Sequence, residues 1–148
     1  MAPVTALPPQ ALTAAAQALI MAYNDRDWDQ ALAGLTSDFV YDEIASGRKV
    51  SGASRAVEAW KGWAQAFPDS RGTFNAAHVT EAGDVVLELT WRGTHYGPLQ
   101  MRDGPVAPTG RTIEVRACAI VGMEGEKARI ERHYFDMATL LRQIGIMP

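Results

Sequence analysis

One cysteine, three lysines and three histidines are the whole supply of those residues in this 148-residue chain, and each scarcity removes a chemistry. Cys118 by itself can neither close an intramolecular disulfide nor build a Cys-rich zinc site. Lys49, Lys61 and Lys127 fall at loop or helix-surface positions, away from the desolvation that prepares an amine for imine chemistry. His78, His95 and His133 are spread over separate strands without metal-ligand spacing, and no H-E-x-x-H occurs, so no metal is expected. A G-x-S-x-G elbow and a glycine-rich strand-to-helix turn are also missing, which argues against hydrolase triads and dinucleotide cofactors. The 14 basic residues are dispersed and the net charge is -3, which is no footprint for nucleic acid. No apolar run approaches the roughly 20 residues of a membrane span. The start Met1-Ala2-Pro3-Val4 lacks the positive charge of a secretory signal, so the expected location is cytoplasmic.

What is present is the balance of a globular domain, 47% hydrophobic and 21% charged, in a length that suits one domain over residues 1–148. The first half has helical periodicity. Pro8-Pro9 precede Leu12, Ala16, Leu19 and Tyr23; Asp27 and Gln30 form a capping pair ahead of Ala31, Leu32 and Leu35. Phe39-Val40-Tyr41 reads as a short strand, and a third helix from near Ser54 carries Val57, Trp60, Ala64 and Phe67 before Pro68 stops it. Beyond Pro68 the period becomes two. Strands are predicted over 74–80, 85–95, 111–121 and 128–136, with turns at 81–84 and 122–126 and a loop over 97–110. A short helix over 137–144 ends the chain. Helices first and a meander afterwards predict an α+β fold, with helices packed on a curved, mostly antiparallel sheet around an apolar pocket.

Polar groups on faces that should be apolar are the informative ones. His95 shares parity with Val85, Leu87, Leu89 and Trp91. On the last strand Ile130, Arg132, Tyr134 and Asp136 share the face assigned to the pocket, provided no β-bulge intervenes. A carboxyl among apolar neighbours resists ionisation and becomes a usable general acid or base, which makes Asp136 the candidate. It could equally cap the following helix. His95 could be an exposed strand end, and Arg132 either a salt-bridge partner of Asp136 or an anchor for an anionic substrate. Tyr41 and Glu43 share parity at a strand end; Trp60 and Trp63 stand at helical spacing, as core or as ligand platform. Cys118 reads as a bystander on a polar face.

Three segments in order resemble the SnoaL-like polyketide cyclases. Gly93-Thr94-His95-Tyr96-Gly97 carries that family's G-T-H-x-G, and Pro108-Thr109-Gly110-Arg111 its P-T-G-R. Glu131 through Asp136 carries its E-x(4)-D, followed by the Leu-rich turn Leu140-Leu141-Arg142-Gln143-Ile144-Gly145; Phe67-Pro68-Asp69 also matches. The resemblance implies an NTF2-like cone-shaped barrel, a homodimer through the outer sheet face, and ring closure by intramolecular aldol condensation without metal or cofactor. It implies Asp136 as acid/base with His95 nearby; parity and spacing offer Tyr41, Glu43, Trp60, Trp63, Trp91, Arg132 and Tyr134 as the residues around the substrate. Arg132 stands where the family commonly has Trp, and Tyr41-Asp42-Glu43 where it often has a His/Asn-type pair. The expected ligand is therefore a small hydrophobic carbonyl compound, not specifically a polyketide. Related isomerisation or dehydration, or non-catalytic binding of a small molecule, are the other functions such a pocket supports.

Overall fold

The computed structural model describes residues 7–148, and the Met1-Ala2-Pro3-Val4 start read above lies outside them. Pro9 opens helix α1 (Pro9–Asn24) where its missing N–H has no helical partner to lose, and Leu12, Ala16, Leu19, Ile20 and Tyr23 form the buried stripe. The Asp27 carboxylate accepts the Gln30 amide at 3.1 Å and starts α2 (Trp28–Ala33). Strands β1 (Leu35–Glu43) and β2 (Arg48–Ser51) follow, then α3 (Ala53–Ala66), which buries Ala56, Val57 and Trp60. The remaining elements are β3 (Arg71–Val79), β4 (Val85–Thr94), β5 (Leu99–Met101), β6 (Gly104–Val106), β7 (Thr112–Glu124), β8 (Lys127–Phe135) and α4 (Met137–Gln143).

Six strands form one sheet in the order β2-β1-β8-β7-β4-β3. Every neighbouring pair is antiparallel except β1 and β8, which run parallel. The α+β class and the helices on a curved sheet are as the sequence predicts; the sheet wraps without closing, so β2 and β3 remain edges. Val85, Leu87 and Leu89 of β4 and Ile113, Val115, Ala119 and Val121 of β7 are buried on the inner face, which carries the core. Burying one such side chain stabilises by roughly 1.5–3 kcal/mol, so this face anchors the register.

Two local departures matter. The segment 97–110 is not a plain loop: Leu99 pairs with Val106 in the β5–β6 hairpin and is itself buried. Gly122 does not open a turn. It lies inside β7, where an added Cβ would stand 2.7 Å from the Ile130 side chain, so a larger residue there forces Ile130 to shift. Met123 pairs with Ala128 and Gly122 with Ile130, leaving Arg129 as the extra residue of a β-bulge. The bulge resets the pleat. Ala128 faces inward before it and Glu131, His133 and Phe135 after it, so Arg132 and Tyr134 turn to the outer face, the reverse of the predicted parity.

Candidate active site

The inner face of the sheet and helices α1 and α3 line a partly open cavity. Its space for the centres of water-sized molecules is about 80 Å³, well above the ~10–15 Å³ that one water requires. α1 contributes Leu19, Ile20 and Tyr23, and α3 contributes Trp60 and Trp63, with Phe67 just beyond it. The sheet contributes Tyr41 from β1, Trp91 from β4, Ile113 and Val115 from β7, and Glu131, His133 and Phe135 from β8. Ser70 and Leu140 complete the wall. Among the described residues no lysine or arginine lines it.

A chain of hydrogen bonds runs through the polar part of this wall. The Trp91 indole N–H donates to His133 Nε2 at 3.2 Å, and an indole can only donate, so Nε2 carries the lone pair. In the neutral ring Nδ1 therefore carries the proton, which it donates to the Tyr41 hydroxyl at 3.0 Å. Tyr41 in turn donates to Glu43 Oε2 at 2.8 Å, and the Trp63 N–H donates to the same oxygen at 2.8 Å. Ser46 at 2.5 Å and Arg48 at 3.4 Å serve the other carboxylate oxygen, and Arg48 also reaches Oε2 at 3.2 Å.

The charge states follow from this geometry. Burial pushes the Glu43 carboxyl up, but the Ser46 hydrogen bond, the Arg48 charge and the Trp63 and Tyr41 donors outweigh it and hold it below its usual value. Burial, with Glu43 and Glu131 nearby, pushes the Tyr41 phenol well up, so it keeps its proton. His133 is pushed down to about 4 by burial, although Glu43 pulls the other way. Protonation of Nε2 would also set one N–H against another, that of Trp91. Glu131 differs from all of these. It is only 4% exposed, its carboxyl enters none of the hydrogen bonds among the described residues, and burial together with the Glu43 charge raises it to about 7.

The residues singled out by sequence divide into three groups. Tyr41, Trp60, Trp63 and Trp91 line the cavity; Glu43 stands one layer behind, bonded to Tyr41 and Trp63. His95 is fully buried but off the cavity. Its Nδ1 meets the Thr109 hydroxyl at 3.0 Å and accepts the Thr109 amide at 3.2 Å, burial lowers its pKa, and its ring packs on Phe67. Thr94 donates its amide and hydroxyl to Asp69 at 2.6 and 2.8 Å, and a Cβ on Gly97 would overlap the Gln65 carbonyl. The F-P-D, G-T-H and P-T-G-R segments thus knit the floor of the domain together.

Asp136, Arg132 and Tyr134 form the third group and correct the prediction. Asp136 is exposed, and its carboxylate caps α4, accepting the Thr139 amide at 3.0 Å and hydroxyl at 2.6 Å. Those bonds, with Arg142 adding its charge, hold it below its usual value. The cavity therefore contains no part of Asp136. It borders an open groove on the outer face with Tyr134 and Cys118, and Arg132 makes no ion pair with it. Glu131, His133 and Phe135 face the cavity instead, and the signal for this reversal is Gly122, a glycine within an otherwise well-patterned strand.

A sequence profile of the SnoaL-like polyketide cyclase family matches residues 13–144. Among curated proteins none matches in sequence. Solved structures share the fold. A candidate SnoaL-like polyketide cyclase from Jannaschia sp. CCS1 superposes with TM-score 0.82 at 17% identity, covering 99% of this chain and 100% of its own. IdmH, a candidate polyketide cyclase from Streptomyces antibioticus, gives 0.75 at 20% identity, covering 90% and 98%. An LEH-like epoxide hydrolase from M. tuberculosis gives 0.70 at 16% identity, covering 91% and 90%.

Proposed function

We propose, for a chain that belongs to the SnoaL-like polyketide cyclase family, that the cavity carries out proton transfer on a small hydrophobic carbonyl compound, with Glu131 as the acid–base group. One observation carries the reading: a buried carboxyl facing the cavity, outside the hydrogen-bond network, with its pKa near 7. At neutral pH such a group is present in both forms, the condition under which general acid–base catalysis is most effective. The ionised carboxylate takes a proton from the carbon next to a carbonyl, leaving an enolate. In ring closure the enolate carbon bonds to a second carbonyl carbon within the same molecule. The oxygen there takes the proton back from Glu131 and becomes a hydroxyl. The proton is lent and returned, so no cofactor is needed. In isomerisation the same proton returns to a different carbon. Tyr41, Trp60, Trp63 and Trp91 bound the space in which the flexible substrate is folded into a reactive shape.

Deuterium uptake at the α-carbon of small cyclic ketones, followed by NMR in heavy water, tests this without knowledge of the natural substrate. The wild-type protein accelerates exchange and Glu131→Gln does not; equal rates in the two would remove Glu131 from the chemistry. Ketone binding with no exchange in either favours a non-catalytic binding protein. The same reading includes a cytoplasmic homodimer paired through the outer sheet face, where Tyr134 is 40% exposed. Sedimentation at two protein concentrations checks the dimer, and a persistent monomer refutes it.

A further inference from the structure

The cavity wall has used up nearly all of its hydrogen-bond donors. The indole N–H groups of Trp63 and Trp91 are engaged by Glu43 and His133, the His133 N–H by Tyr41, and the Tyr41 hydroxyl by Glu43. Tyr23 and Ser70 share one hydrogen bond at 2.7 Å, which leaves a single hydroxyl hydrogen between them. What the wall still offers a ligand is the opposite kind of group: aromatic rings and the two oxygens of Glu131. No cationic side chain lines the space to balance that carboxylate. A buried carboxylate without a partner is costly, and a ligand that supplies positive charge removes the cost.

We infer that the cavity recognises a compact organic ammonium group, held against Glu131 within the aromatic wall. The inference rests on the reading of Glu131 as the reactive carboxyl and adds to it: a substrate bearing such a group holds Glu131 ionised, in its proton-accepting form. Aromatic rings around a desolvated ammonium add attraction that an uncharged molecule of the same shape does not receive. A carboxylate ligand meets the reverse situation, with two acidic side chains and no free donor pair.

The neighbours of Glu131 decide how this depends on pH. On one side β1 pairs Tyr41 with it and places Glu43 beyond, neutralised in part by Arg48 of β2; on the other, β7 pairs Val121 with it. His133 on β8 is uncharged through the neutral range, and α1 and α3 contribute only Tyr23 and the two tryptophans as polar wall groups. Glu131 is thus the wall group whose charge changes near pH 7.

Calorimetric titration of the full-length protein with choline, and with its uncharged carbon isostere dimethylbutanol, tests the inference. About one pH unit above the Glu131 value, choline is expected to bind at least about tenfold more tightly than the isostere. About one unit below that value the advantage shrinks severalfold, because most of the carboxyl is then protonated. Glu131→Gln abolishes the advantage while still binding the isostere. Should that variant not fold, the pH pair in the wild-type protein decides. Equal affinities above the Glu131 value, no choline binding, or a choline advantage unchanged by pH or by the substitution would each overturn the inference. Ketone exchange that persists when choline fails leaves the acid–base reading standing; choline binding without exchange does the reverse.

Discussion

Glu131 and Asp136 are carboxyls on the same stretch of chain, one within β8 and the other at its exit into α4, and their environments have opposite effects. Glu131 is enclosed, unpartnered and raised to about 7; Asp136 is exposed, doubly bonded to Thr139 and lowered. The motif that carries both residues says nothing about which one meets a ligand. Burial and hydrogen-bond supply decide it, because each acts on the cost of holding charge.

The strongest way to break the comparison is on turnover. Glu131→Gln is expected to lower ketone exchange by about 10²–10⁴-fold, the usual contribution of a positioned acid–base group. Asp136→Asn should leave exchange unchanged, since asparagine still caps a helix. Loss of exchange in the second variant and not the first would invert the assignment. A smaller effect is expected on stability from Tyr41→Phe. It strands the buried His133 N–H and removes one donor from Glu43, at about 1–3 kcal/mol in urea unfolding; no shift in the unfolding midpoint would mean the relay is not formed.

Smaller still is the pH dependence of stability. The folded-state pKa of Glu131 lies above its unfolded value of 4.5, so its contribution is complete below about 4.5 and is lost as the pH rises through about 7. His133 works oppositely. Its folded value of about 4 lies below 6.5, so its contribution is complete above about 6.5 and is lost as the pH falls through about 4. Unfolding midpoints of Glu131→Gln across this range should lack the decline towards alkaline pH that the wild-type protein shows. Smallest is Thr109→Val, which removes the hydroxyl beside His95 at a cost of about 1 kcal/mol and leaves exchange intact. A matching fall in exchange would mean that His95 acts on the cavity after all.

Much of the fold was legible because its signals are local. The stripe Leu12, Ala16, Leu19 and Tyr23, the Asp27 cap, and the alternation along β4 and β7 each follow from a period or a hydrogen bond within a few residues. Tyr41, Trp60, Trp63 and Trp91 line the cavity from elements whose inward face a period marks, although that period leaves core or ligand platform open for the two helical tryptophans. The inward orientation of Glu131 was not legible, because it depends on a pairing between strands. Arg129 leaves the ladder opposite the step from Gly122 to Met123, where Ile130 packs close on Gly122, and nothing within 127–135 taken alone records that. The motif residues misled in a different way. His95, Thr109, Asp69 and Gly97 hold segments of the floor together, and sequence cannot distinguish a residue kept for such joining from one kept for chemistry.

The unpaired Arg129 has a consequence for how this strand can change. Its alternation contains two complete sets of side chains, an acidic-aromatic one in Glu131, His133 and Phe135, and a cationic one in Ile130, Arg132 and Tyr134. Were Arg129 to re-enter the ladder as an ordinary paired residue, the sets would exchange wholesale, replacing the carboxyl in the hollow by a guanidinium. In such a strand a shift of reading phase in the pleat, not a substitution, is the shortest route to a ligand of opposite sign.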